Sequence, residues 1–144
     1  MLREVALTIA CDHTGKIPEY KSVGAAGLDL YSAEKEEVVL LPRCRRKITT
    51  GFSLAIPEGY CGKIEAKSGL ALNHGLIVLG GLIDSDYRGV IEVMFYNTDD
   101  AYFVKPGQAI AQLVIYPCPR ITLMPVTILP PTARGTGGFG STGL

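Results

Sequence analysis

Two carboxylates, a phenol and a guanidinium fall within five positions at Asp84, Asp86, Tyr87 and Arg88, in a run from Gly80 to Gly89 between apolar stretches that end near Leu79 and resume at Val90. By default, acids in a loop between strands are solubilisers and a tyrosine there is a packing residue. Other groups weigh against that reading. Asp29 stands between Leu28 and Leu30 in an expected strand, and Lys67-Ser68-Gly69 stands at an expected strand-to-helix turn. The terminal run from Arg134 to Leu144 has five glycines in eleven residues, interleaved with Arg134, Phe139, Ser141 and Thr142. A glycine-rich end frays by default. This one also carries a guanidinium fork suited to phosphate, glycines that let backbone N–H groups turn toward an anion, hydroxyl donors, and a flat ring on which a base can stack. The interleaving favours an arm that closes over a ligand, and together these groups indicate a phosphorylated small molecule.

Composition narrows the partners. Fourteen Lys and Arg balance fourteen Asp and Glu, which lacks the basic footprint of a protein that tracks polymeric nucleic acid or an anionic membrane. No apolar run approaches the ~18 residues of a membrane span. Met1-Leu2-Arg3-Glu4 lacks the basic-then-apolar order of a secretion signal, so the expectation is an intracellular protein, cytoplasmic or nuclear and not secreted. Cys11, Cys44, Cys61 and Cys118 are widely spread with only His13 and His74 to join them. That spacing disfavours a structural zinc site and predicts free, partly buried thiols in a reducing compartment. A hard ion carried in by a phosphate substrate is a separate matter, because Mg²⁺ needs few protein ligands.

The elements that must hold these groups are mostly strands. Ile48, Phe52, Leu54 and Ile56 fall on alternate positions with Thr50 on the same face, and Tyr60 to Ala66 alternates again, which is strand periodicity. Val90 to Tyr96 is almost continuously apolar and predicts a strand buried on both faces. Further strands are expected at Val5 to Ala10, Leu28 to Tyr31, Val38 to Leu41, Tyr102 to Val104 and Ala109 to Tyr116. Gly and Pro recur too often for long helices. The best site for one short helix is Ser68 to His74, with Ser68 capping its first turn and Gly75 ending it. Many short strands between regular turn signals predict an all-β sandwich or barrel of jelly-roll type, occupying residues 1–129, with Pro130-Pro131 opening a flexible arm over residues 130–144.

Five segments in order carry a resemblance: Ala26-Gly27-Leu28-Asp29-Leu30, Lys67-Ser68-Gly69-Leu70-Ala71, Gly81 to Gly89, Ile110-Ala111-Gln112-Leu113 and Arg134 to Ser141. They resemble the five ordered motifs of the trimeric deoxyuridine triphosphatase family. The resemblance implies a jelly-roll-like homotrimer that hydrolyses dUTP to dUMP and pyrophosphate with Mg²⁺, each active site drawing on all three subunits.

It also implies roles. Asp84 would activate water for in-line attack on the α-phosphorus and contact the sugar 3′-hydroxyl, and Tyr87 would pack under deoxyribose, leaving no room for a 2′-hydroxyl. A hairpin from Val78 through Gly81 and Leu82 to Ile83 would read the uracil edge with backbone groups, with a backbone contact added by Glu92. Lys67, Ser68, Gly69 and Gln112 would contact phosphate, and Asp29 would act on the metal through water. Arg134 would hold the γ-phosphate, Phe139 would stack on uracil, and Gly140, Ser141 and Thr142 would wrap the triphosphate. Two residues depart from the family pattern: Lys67 stands where arginine is usual, replacing a planar fork by one ammonium, and Ala109 stands where a basic residue is common. The rival readings are a dCTP deaminase of the same fold and a dUTP-binding signalling protein. The uracil-type segment beside Tyr87 and the full arm oppose the first, and Asp84 with Arg134 favours catalysis over the second.

Overall fold

The computed structural model of the chain describes residues 4–12 and 14–140. Ten strands and one helix follow one another as β1 (Thr8–Cys11), β2 (Leu28–Tyr31), β3 (Val38–Leu40), β4 (Arg45–Ala55), β5 (Tyr60–Ala66), α1 (Ser68–His74), β6 (Leu76–Leu79), β7 (Leu82–Ile83), β8 (Val90–Asn97), β9 (Tyr102–Val104) and β10 (Ala109–Pro117). One four-stranded sheet runs β1-β4-β8-β6 and another runs β2-β10-β5-β7, while β3 and β9 form a two-stranded ribbon. Every strand pairing is antiparallel. This is an all-β sandwich of jelly-roll type, not a closed barrel, as an alternating pattern with one apolar face per strand demands.

A single apolar cluster joins the layers. The first sheet contributes Ile48, Phe52, Ile91, Val93 and Phe95, the second Leu30, Ile64, Ile110 and Leu113, and the ribbon Leu40 and Val104. Burying each such side chain stabilises the fold by about 1.5–3 kcal/mol. Two polar residues sit in this core with their hydrogen bonds made. The Thr50 hydroxyl donates to the Ile91 carbonyl at 2.6 Å. The Asn97 amide donates to the carbonyls of Leu40 at 2.8 Å and Asp100 at 2.7 Å, so the end of β8 is tied to the ribbon.

The helix spans the predicted residues, and Gly75 ends it in the left-handed conformation with φ 60°, donating its N–H toward Ala71. Its start differs from expectation. Lys67, extended at φ −78° and ψ 125°, is the N-cap, and no side chain caps the turn, because Ser68 already lies inside the first turn.

Three other expectations are corrected. The first strand covers Thr8–Cys11 and not Val5 to Ala10, since its extent is set by pairing with Phe52 to Ala55. β8 is not buried on both faces. Ile91, Val93 and Phe95 point into the core, whereas Val90 and Met94 are exposed on the outer face of the chain's sheet. The four cysteines are free as expected, but Cys11, Cys44 and Cys118 are exposed and only Cys61 is half-buried. The exposed three sit at strand ends or in a turn, where no second layer covers them. No helix among the described residues is long and apolar enough to cross a membrane.

Candidate active site

The Val78-to-Ile83 segment is not a hairpin of two strands paired to each other. β6 pairs with β8 in one sheet, β7 pairs with β5 in the other, and the chain crosses between the layers at Gly80-Gly81. Gly81 makes the corner possible. Its φ is +87°, and a Cβ there would lie 2.9 Å from the Ile64 carbonyl oxygen, so both conformation and space require glycine. The Ile64 N–H donates to the Gly81 carbonyl at 2.8 Å and fixes the crossing. β6 and β7 are each the last strand of their sheet, so each turns an unpaired row of backbone groups outward. The hairpin that the resemblance implies is replaced by two short strands that part into different sheets.

Asp84 follows β7 directly and opens a tight turn, its carbonyl accepting the Tyr87 N–H at 3.2 Å. Arg88 closes the turn by donating to the carbonyls of Ser85 at 2.7 Å and Tyr87 at 2.9 Å. Its guanidinium is thereby committed to the loop. The Tyr87 hydroxyl donates to the Val90 carbonyl at 3.2 Å and fixes the ring. Gly81, Leu82, Ile83, Asp84, Tyr87 and Glu92 line a shared hollow. Its far wall holds Lys47, whose ammonium lies 2.6 Å from the Glu92 carboxylate. That carboxylate pushes the Lys47 ammonium up from its ordinary range. Nothing in the local sequence signals Lys47, since its partner is 45 residues away and only the β4–β8 pairing makes them neighbours.

A second hollow is lined by Lys67, Ser68, Gly69 and Gln112, with Asn73, His74 and Ala109 beside them. Gln112 lies on β10 opposite Asp29 of β2 and Glu65 of β5, and its amide donates to the Ala66 carbonyl at 3.1 Å. Gly27 leaves room for it, because a Cβ at Gly27 would stand 2.8 Å from the Gln112 Oε1. Asp29 is buried, and its Oδ1 lies 2.7 Å from the Lys67 Nζ. The lysine that departs from the family pattern is therefore held by the acid of another motif. Asn73 and His74 escaped the sequence reading, although helical spacing from Gly69 and Leu70 puts them on the same face.

The two hollows share no lining residue. Gly62 of β5 faces Ile83, next to Asp84, and Lys67 lies five positions further on, which at about 3.3 Å per residue is roughly 16 Å. One chain thus brings Asp84, Tyr87 and Glu92 to one place and Lys67, Ser68, Gly69, Gln112 and Asp29 to another. The arm joins neither. Beyond Pro117 the described chain runs exposed except at Gly137 and Gly138, which are half-buried. Arg134 donates to the Gly137 carbonyl at 2.9 Å, Gly135 to the Thr132 hydroxyl at 3.1 Å, and the Phe139 ring stands fully exposed next to Gly140. Ser141 and Thr142 lie outside the described residues. Among the described residues no group of three or more His, Cys, Asp or Glu side chains is placed to hold a metal ion.

Comparison with known proteins gives one consistent result. A family model described as dUTPase matches residues 13–143. The deoxyuridine 5'-triphosphate nucleotidohydrolase of Syntrophotalea carbinolica is 48% identical over 130 residues, covering 88% of each chain. A mutant dUTPase of Staphylococcus bacteriophage 80alpha, solved with dUpNHpp, superposes with a TM-score of 0.90 at 28% identity, over 96% of this chain and 99% of its own. A mutant dUTPase from phage phi11 of S. aureus, described with a structural Mg(II) ion, has a TM-score of 0.79 at 26% identity, over 85% of this chain and 97% of its own.

Proposed function

The chain belongs to the dUTPase family and hydrolyses dUTP, and we propose that it does so by in-line attack of a water polarised by Asp84 on the α-phosphorus. The water oxygen bonds to that phosphorus, the bond to the bridging oxygen breaks, Asp84 takes up the proton, and dUMP and pyrophosphate leave. The observation that carries this reading is the position of Asp84. Its carboxylate emerges where two sheet edges meet, beside a ring held from below by Val90.

The same corner supplies the selectivity. Unpaired backbone groups of Val78 and Leu82, carried on edge strands around Gly81 and Ile83, read the uracil edge. Tyr87 packs under deoxyribose and excludes a 2′-hydroxyl, and Glu92 adds a backbone contact on the returning strand. A ligand that leaves buried hydrogen-bonding groups unpaired is rejected by ~10⁴–10⁵.

Lys67, Ser68, Gly69 and Gln112 bind the triphosphate in the second hollow. Donors there, with a single acid behind them and no multidentate cage among the described residues, fit an Mg²⁺ that arrives on the substrate and touches the protein through the water of Asp29. Bound in that way, Mg²⁺ would offset charge on the phosphate oxygens. Arg134 holds the γ-phosphate, Phe139 stacks on uracil, and Gly140, Ser141 and Thr142 wrap the triphosphate.

The arm of residues 130–144 and the β domain of residues 1–129 act on different chains of a homotrimer. Two observations support this. The half-sites of one chain stand apart, and Ile121, Leu123, Met124, Val126, Ile128 and Leu129 are exposed along a segment that pairs with no strand among the described residues of its own chain. A closed three-fold ring covers such a segment on a neighbour. The protein acts within the cell on a small molecule, with no part for polymeric nucleic acid or a membrane.

The test is purified protein with Mg²⁺ and dUTP, dTTP, UTP or dCTP in parallel, products identified. Only dUTP is expected to yield its monophosphate and pyrophosphate. Comparable cleavage of UTP or dTTP contradicts the assigned pocket, and dUTP formed from dCTP identifies a deaminase.

A further inference from the structure

A third hollow also reaches Asp84, and two cysteines share it with Asp84, Ser85, Asp86 and Arg88. Cys61 is the second residue of β5. Cys118 follows β10 by one residue and prolongs its ladder, donating its N–H to the Gly59 carbonyl at 2.7 Å. Cys61 faces Tyr116 in the register, so Cys118 stands diagonally across the ribbon on the same face. A diagonal pair of this kind stands ~7–8 Å apart, so bridging it requires the backbone to move. Burial and the Cys118 thiol push Cys61 up from the ordinary thiol range, with a smaller push from Asp84. Cys118 is exposed and Cys61 half-buried, an arrangement with one thiol open to attack and a second poised behind it.

We propose that Cys61 and Cys118 form a reversible disulfide in response to a hydroperoxide, and that closing it displaces the Asp84 turn and slows turnover. The inference builds on the role given to Asp84 above. The Cys118 thiolate attacks the peroxide R′OOH, breaking its O–O bond to give a sulfenic acid and R′OH, which takes the Cys118 proton. The Cys61 sulfur then attacks the sulfenic sulfur. An S–S bond forms, the S–O bond breaks, and hydroxide leaves as water with the Cys61 proton. Two thiols thus lose two electrons to one hydroperoxide. The strain reaches the site by a short route, because Gly62 and Lys63, next to Cys61, pair with Ile83 and Leu82, the two residues before Asp84. Neither Cys11 nor Cys44 lines this hollow.

The experiment uses the full chain carrying Cys11→Ser and Cys44→Ser, treated with hydrogen peroxide and alkylated, then read by peptide mass and by dUTP turnover. The expected result is a Cys61–Cys118 linked peptide, two hydrogens lighter than the reduced pair. Turnover falls by ~10- to 100-fold, as small displacements of catalytic groups do, and a dithiol reductant restores it. Adding Cys118→Ser or, separately, Cys61→Ser should abolish both the link and the reversible loss. Peroxide that oxidises the thiols without linking them overturns the proposal, as does a linked protein with unchanged turnover. Turnover of Asp84→Asn against that of the reduced protein tests the role of Asp84, while the mass of the peptides decides the link whatever that turnover is.

Discussion

The Asp84 corner and the arm beyond Pro117 place chemistry in opposite ways. At the corner, two sheet edges, a left-handed glycine and the Arg88 clamp fix a carboxylate and a ring before any ligand arrives. In the arm, Arg134 and Phe139 are held only by short local turns, and the ring packs on nothing. Preorganised groups stabilise a transition state without reorganising, whereas an exposed glycine-rich segment must be ordered when it binds. The corner therefore suits the reacting phosphorus and the choice of base. The arm suits closure and exclusion of water.

The sharpest way to separate the two is Asp84→Asn, which keeps the shape of the corner and removes its base. Loss of a general base costs ~10²–10⁴-fold in rate, so kcat should fall by that much while dUpNHpp binding, read by calorimetry, is largely kept. Near-normal turnover would reduce Asp84 to a loop acid.

Truncation after Thr132 acts on the other side of the comparison. Removing the γ-phosphate and stacking groups should lower kcat/KM by ~10²–10³-fold, the usual cost of losing an electrostatic contact to the reacting group. The thermal midpoint should stay put, because none of the removed residues that the structure describes is fully buried. A large fall in that midpoint would make the arm a structural element.

Gly81→Val should reverse that pattern. A branched side chain at φ +87° meets the Ile64 backbone, and strain of this kind costs ~1–3 kcal/mol. Calorimetry should show a lower midpoint together with reduced turnover. A variant as stable as the parent would mean that the crossing is not rigid.

The smallest effect is expected for Lys67→Arg. A planar fork can contact phosphate with two parallel bonds, but Asp29 already holds Lys67 at 2.7 Å and competes for the new group. Steady-state kinetics should show kcat/KM raised by no more than about threefold, against the order of magnitude an uncommitted fork would add. A tenfold gain would show that Asp29 does not restrain this position.

Periodicity and punctuation made most of the strands legible, and β5 and the helix occupy the expected residues because Pro57 and Gly59 set the start of the one and Gly75 the end of the other. What escaped depended on which strand lies beside which. The apolar face of β8 that holds Val90 and Met94 reads like a core face, yet nothing in its own chain covers it. The parting of β6 and β7 is set by which sheet each joins, a contest that local alternation does not encode. The same holds for Lys47 with Glu92, Lys67 with Asp29, and Cys61 with Cys118, each pair joined only by strand pairing across the chain. The motif residues could be read from their order. Their division into two half-sites required the roughly 16 Å of β5 between them.

That the carboxylate and the arm of one site come from different chains is the central claim, and mixed trimers test it most directly. Asp84→Asn protein with its arm intact and protein truncated after Thr132 with Asp84 intact are unfolded and refolded together, with mixing within trimers verified by size. Each parent alone should be inactive. If the arm of one chain serves the Asp84 of another, random mixing gives about one site in four an intact carboxylate and an intact arm, and turnover should reappear at about a quarter of the rate of the unsubstituted, full-length protein. Verified mixed trimers without activity would mean that each arm closes on its own chain, and the shared site would be wrong.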